Sequence, residues 1–139
     1  MKKFAALLLA LMMVLPMAAM AEAVPSVSAA NTNAGFYLVC TVNPDGSANA
    51  AVLVFNIKKV EDKYYLQLGM AENQTKANLE ATGEGLAVYA AVVEGETAVA
   101  TGARIYFKAL EDQAVLDILM QDARQGASFY EITEVLPLG

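Results

Sequence analysis

Beyond Asn33 the apolar residues fall into short runs closed by clusters of Gly, Pro, Asn or Asp, the pattern of strands joined by turns. Phe36–Val42 predicts a first strand. Asn43-Pro44-Asp45-Gly46 predicts a reversal, with Pro and Gly where a tight turn uses them. Ala48–Asn56 predicts the second strand of a hairpin, Lys58–Lys63 a charged connection and Tyr64–Leu68 a third strand. The first two strands are apolar on both faces: Phe36, Leu38 and Cys40 against Tyr37 and Val39, then Leu53 and Phe55 against Val52 and Val54. A sheet with one wet face would alternate, so these strands should be covered twice, by a barrel interior and by a helix or partner subunit.

The period changes over Asn73–Ala81. Asn73 or Thr75 can cap a short helix, and Gly83 suits its end. Leu86–Val93 predicts a fourth strand, Glu94-Gly95-Glu96 a turn and Thr97–Ala109 a long fifth strand with Val99, Ala103, Ile105 and Phe107 facing inward. Gly102 within it marks a bulge or sharp bend. Glu111–Arg124 predicts a second helix with an apolar stripe of Ala114, Val115, Ile118 and Leu119, acidic residues at its start and Arg124 near its negative end. Phe129–Leu136 is the last strand. The fold class is mainly β (α+β): a six-stranded antiparallel barrel with two short helices.

The first residues follow another plan. Met1-Lys2-Lys3 is a positive n-region and Phe4–Met17 an apolar h-region, and Ala19-Met20-Ala21 places small residues for cleavage before Glu22. Ala21-Glu22-Ala23 offers a second cleavage site. Residues 1–21 are therefore expected to be a Sec-type signal peptide, 22–34 a flexible arm and 35–139 one domain, periplasmic or extracellular. The segment holds five of the seven methionines, so it inflates the 57% hydrophobic content, and no stable membrane insertion is expected after cleavage.

Charge and composition narrow the chemistry. Nine Lys and Arg stand against fifteen Asp and Glu, a net charge of −6 that argues against a nucleic-acid binder. There is no His and one Cys, which excludes imidazole-bound metals, zinc clusters, Ser-His-Asp triads and internal disulfides. Cys40 lies in an apolar run and reads as a buried thiol. The acidic pairs Glu61-Asp62, Glu94/Glu96 and Glu111-Asp112 sit at turns or a helix start and read as solvated surface. Tyr64-Tyr65 reads as a strand with one ring on each face. No side chain is an obvious general acid or base.

Gly69–Leu79 is more informative. A strand end runs through a small-residue loop into a helix, gathering free backbone N–H groups, a Thr hydroxyl, a Gln amide and a Lys, as an anion would require. On this segment alone the strongly negative net charge favours the plainer reading, an ordinary strand-to-helix connection with a polar cap.

The order of the elements resembles the pyridoxamine 5′-phosphate oxidase-like, FMN-binding split β-barrel family. The resemblance runs through Asn43-Pro44-Asp45-Gly46-Ser47, Ala48–Val52, Leu68-Gly69, Thr75–Glu80, Ala100-Thr101-Gly102-Ala103 and Phe129–Thr133, covering roughly Gly35–Val135. It implies a homodimer with FMN in a groove between subunits. By position, Asn49, Ala50, Leu68, Gly69 and Met70 would lie near the flavin. Asn73, Gln74, Thr75 and Lys76 would lie by its phosphate, and Asn78 would orient the helix. Gln74 stands where many members carry Arg or Lys, and the family's basic and His substrate residues have no counterpart before Leu136-Pro137-Leu138-Gly139, which speaks against the oxidase activity itself. The implied function is an exported FMN-binding protein, a flavin-dependent reductase or electron carrier. The alternatives are an exported split-barrel binding or structural protein that has lost flavin, and an unrelated small exported barrel for an apolar ligand.

Overall fold

The computed structural model describes residues 36–93 and 99–138. The expected signal peptide, the arm and the turn at Glu94-Gly95-Glu96 lie outside the described residues. Among the described residues seven strands and two helices follow in the order β1 (Phe36–Val42), β2 (Ala48–Val52), β3 (Phe55–Val60), β4 (Lys63–Gly69), α1 (Gln74–Thr82), β5 (Glu84–Val93), β6 (Val99–Ala109), α2 (Gln113–Met120) and β7 (Ala127–Pro137). They form one antiparallel sheet with the spatial order β2-β1-β5-β6-β7-β4-β3.

The additional strand comes from dividing the predicted Ala48–Asn56 segment. Its first half pairs with β1, Cys40 facing Ala50, whereas Phe55 and Asn56 pair with Leu68 and Gln67 of β4. Leu53 and Val54 carry the chain between the two partners. The charged residues Lys58 and Lys59 belong to β3, because the reversal needs only Glu61 and Asp62, with Glu61 at a φ of 53°.

Alternation sorts the side chains. Tyr37, Val39, Phe55, Leu66, Leu68, Ala87, Tyr89, Ala103, Ile105, Phe107, Tyr130, Ile132 and Val135 share the inner face and form the core with Leu79 of α1. Tyr37 meets Phe55 edge-on, their ring centroids 5.2 Å apart, and Phe107 meets Tyr130 at 5.0 Å. The Tyr89 hydroxyl is buried there without a hydrogen-bond partner among the described residues.

Of the bulge or sharp bend expected at Gly102, the bulge is not there, because the ladder runs unbroken through the Ala90–Gly102 pair. A Cβ at Gly102 would stand 2.0 Å from the Tyr89 carbonyl oxygen, and this approach is what requires glycine. The register shifts instead beside Tyr106 and Phe107, which face Glu134 and Ile132 and leave Thr133 over.

The second helix is shorter than Glu111–Arg124. The Asp112 carboxylate accepts hydrogen bonds from the N–H groups of Ala114 (3.0 Å) and Val115 (3.2 Å), which fixes its start. Val115, Leu116 and Leu119 pack on Tyr65 and Phe129, outside the barrel; Ala114 and Ile118 of the expected stripe are exposed. The helix thus covers the outer side of β4 and β7, whereas two-sided cover was expected of the first two strands, where Val42, Val52 and Val54 are exposed. No described helix is long and apolar enough to cross a membrane.

Candidate functional site

Asn73, with extended backbone, caps α1: its Oδ1 accepts from the Lys76 N–H at 2.9 Å. Gly83 closes the helix at a φ of 71°, its N–H donating to the Leu79 carbonyl at 2.8 Å. Apart from Leu79, the side chains that α1 buries are polar, Thr75 and Asn78, each 2% exposed. Asn78 meets Thr41 directly and Thr75 is linked to it through Asn49; Thr41 continues the inner row of β1 and is itself buried.

A hydrogen-bond network ties helix to hairpin. Asn49 Nδ2 donates to Thr75 Oγ1 at 2.9 Å and to Thr41 Oγ1 at 3.1 Å. Asn78 Nδ2 donates to Thr41 Oγ1 at 3.0 Å and to Asn43 Oδ1 at 2.9 Å, and its Oδ1 accepts from Gln74 Nε2 at 2.8 Å. The turn extends the chain of bonds: Asn43 Nδ2 donates to Ser47 Oγ at 3.0 Å, and Ser47 donates to Asp45 from its hydroxyl at 2.6 Å and its N–H at 3.0 Å. Those two bonds hold the Asp45 carboxyl below the usual aspartate range.

The structure therefore brings Asn49, Gln74, Thr75 and Asn78 together, and their side chains hydrogen-bond to each other and to Thr41 and Asn43. Lys76 pairs with Glu72 and reaches Glu80 at 3.7 Å. The hydrogen bond to Glu72, and then the charges of Glu72 and Glu80, raise its pKa above the ordinary lysine value. Leu68 is sealed in the core, Ala50 and Gly69 are exposed, and Met70 packs half-buried against the core. At the start of α1 the Gln74 and Thr75 N–H groups have no intrahelical acceptor, so they can serve an anion. The side chains there fit a phosphate poorly, because the lysine is already matched by two carboxylates.

Concavities also lie elsewhere among the described residues. A groove of about 510 Å³ opens on the outer side of β1, β5 and β6, lined by Cys40, Val42, Leu86 and Tyr106 with Glu84 and Lys108. Cys40, expected to be buried, is half-buried on this groove, and partial burial pushes its thiol pKa up. A cleft of about 280 Å³ lies between β3, β4 and the turn before β7, against Asn56, Gln67, Gly69, Arg124 and Gln125. Sequence reasoning passed over Thr41, although it falls at the next inward position after Tyr37 and Val39. It also passed over Asn56, Gln67 and Arg124, which only the topology joins. Among the described residues no three His, Cys, Asp or Glu side chains gather as a metal site.

No protein-family model matches the chain, and no curated protein matches its sequence. Among solved structures it is similar to an FMN-binding protein from Syntrophomonas wolfei, with a TM-score of 0.64 and 17% identity over 99% of this chain and 97% of that one. HupZ from group A Streptococcus, a tagged variant, aligns over 76% of this chain and 92% of its own at 16% identity and a TM-score of 0.49. A protein of Lactobacillus delbrueckii, provisionally named pyridoxamine 5′-phosphate oxidase, aligns over 78% and 89% at 16% identity and a TM-score of 0.48. The chain has the split-barrel fold that the sequence resemblance implied.

Proposed function

We propose that this protein is a small exported split-barrel protein that binds FMN as a homodimer and works as a flavin-dependent reductase or electron carrier. The observation that carries the flavin reading is the end-to-end likeness of its fold to an FMN-binding protein, over 99% of one chain and 97% of the other. Ala50, Gly69 and Met70 leave small or apolar surface for a flavin, and the first N–H groups of α1, which have no intrahelical acceptor, suit an anion. FMN, when bound, supplies the electron or hydride transfer, and the barrel's share is orientation and electrostatics. The homodimer is supported by the outer side of β1, β5 and β6, which α2 does not cover and which bears the groove around Cys40, Leu86 and Tyr106. Export is supported by the three-part pattern of residues 1–21.

A second reading, a split barrel that has given up flavin, is favoured by one observation: the lysine at the start of α1 is bound by Glu72 and Glu80. Titrating the mature protein with FMN and riboflavin, while following flavin fluorescence, separates the two. Quenching by micromolar FMN supports the flavoprotein. Absence of any response to either flavin rejects it and leaves the second reading.

A further inference from the structure

We propose that the cleft between β3, β4 and the turn before β7 is an oxyanion subsite, with Arg124 as its cation and Asn56, Gln67 and Gln125 as amide partners. It would take the phosphate or carboxylate of a small molecule. The sequence suggests a plainer role for Arg124, neutralising the negative end of a helix that reaches it. That role is closed, because α2 ends at Met120 with Gln121 as its C-cap and no basic residue in its last turn. Arg124 stands beyond it, in the turn where the Ala127 N–H donates to the Arg124 carbonyl at 3.1 Å.

Charge makes the position notable. In a chain of net charge −6, Lys63 and Lys108 share Glu131, Lys76 is held by Glu72 and Glu80, Lys59 lies over the Tyr64 ring and Arg104 donates to the Pro137 carbonyl. The Arg124 guanidinium makes no hydrogen bond or ion pair among the described residues, and no carboxylate lines its cleft. Asn56 and Gln67 are cross-strand partners on β3 and β4, so a rigid ladder sets their spacing, and Gly69 leaves the wall open beside them. A guanidinium fork presents parallel donors that match two oxygens of a carboxylate or phosphate, and amide N–H groups can take the rest. Val54 gives the rim an apolar edge for the body of the molecule.

The oxyanion could arrive on FMN or on a separate small molecule, and the test distinguishes them. Inorganic phosphate is titrated into the isotope-labelled mature protein while the Arg124 Nε–H and Gln67 side-chain amide signals are followed by NMR. Lys58, an exposed lysine outside the cleft, is the control for unspecific attraction. The Arg124 and Gln67 signals should move together and saturate, with Lys58 unmoved, and Arg124→Gln should weaken phosphate binding tenfold or more. Arg124→Gln should leave the thermal midpoint unchanged, since the fold uses no bond of that side chain. FMN and riboflavin titrations of the same variant then assign the source. A tenfold loss for FMN alone places the flavin's phosphate in the cleft. Unchanged or absent flavin binding, with the phosphate response lost, assigns the subsite to a separate oxyanion and leaves the flavin question to its own experiment. The proposal is overturned if phosphate moves Arg124 no more than Lys58, or if Arg124→Gln binds phosphate as the parent does.

Discussion

Replacing Asn78 by alanine tests whether α1 is fastened to the barrel by side-chain hydrogen bonds. Asn78 is 2% exposed and makes three bonds, to Thr41 at 3.0 Å, to Asn43 at 2.9 Å and from Gln74 at 2.8 Å. A buried hydrogen bond contributes about 1 kcal/mol net, and a partner left buried and unsatisfied costs about 1–3 kcal/mol. Thr41 keeps its bond from Asn49, while Asn43 and Gln74 are nearer water and recover part of their loss. The expected destabilisation is about 3 kcal/mol. For a domain of roughly 100 residues that lowers the melting midpoint by about 10–20 °C. Urea unfolding should show a lower midpoint at an unchanged slope. Gln74→Ala, which removes one exposed donor, should cost about 0.5 kcal/mol, and a cycle of Asn78→Ala with Thr41→Val should give a coupling of about 1 kcal/mol. A loss for Asn78→Ala below about 1 kcal/mol, or no coupling to Thr41, would refute the view that this network holds the helix.

Three further outcomes follow from the fold. Gly102→Ala drives a methyl to 2.0 Å from the Tyr89 carbonyl and should cost about 3 kcal/mol or more, whereas Gly46→Ala, with a φ of 83° and open space around it, should cost about 1 kcal/mol; chemical denaturation of both variants checks the ranking. Tyr89→Phe removes the unpartnered hydroxyl and should raise stability by about 1 kcal/mol, so a lower melting midpoint would contradict the burial. The Asp45 carboxyl is held below its unfolded value, so its contribution to stability is present above about pH 4 and is lost as the pH falls through the folded value. Carbon-detected titration should place Asp45 below a free aspartate and should return it to the ordinary range in Ser47→Ala.

The strands and caps were legible because they depend on local chemistry. Asn73 and Gly83 bound α1 as their side-chain acceptor and left-handed backbone require, and the odd positions Ala103, Ile105 and Phe107 point inward as their alternation implies. The division of the second strand was not legible, since Leu53 and Val54 continue the apolar run and only the choice of different partners separates β2 from β3. The limits of α2 escaped for a related reason: Glu111 and Arg124 suit helix ends, but the Asp112 cap and the turn at Gln121 shorten the helix at both sides. Among the candidate site residues, position brought Asn49, Thr75 and Asn78 together. Their inward hydrogen bonding depends on Thr41 and Asn43, which are more than thirty residues from Asn78 in sequence.

β2 and β3 are neighbours along the chain, yet they occupy opposite ends of the sheet order. Residues 53 and 54 therefore act as a clasp across the slit of the barrel, with Leu53 tucked against the core and Val54 65% exposed. A wall closed by a ladder widens only when several backbone hydrogen bonds break together. A covalent clasp has no such threshold, and it can flex by rotation about a few backbone torsions while every ladder stays intact. The mouth of such a barrel can be remodelled by substitutions at two positions without loss of the main-chain bonding that defines the fold, which makes the slit the inexpensive place for evolution or engineering to change what the protein holds.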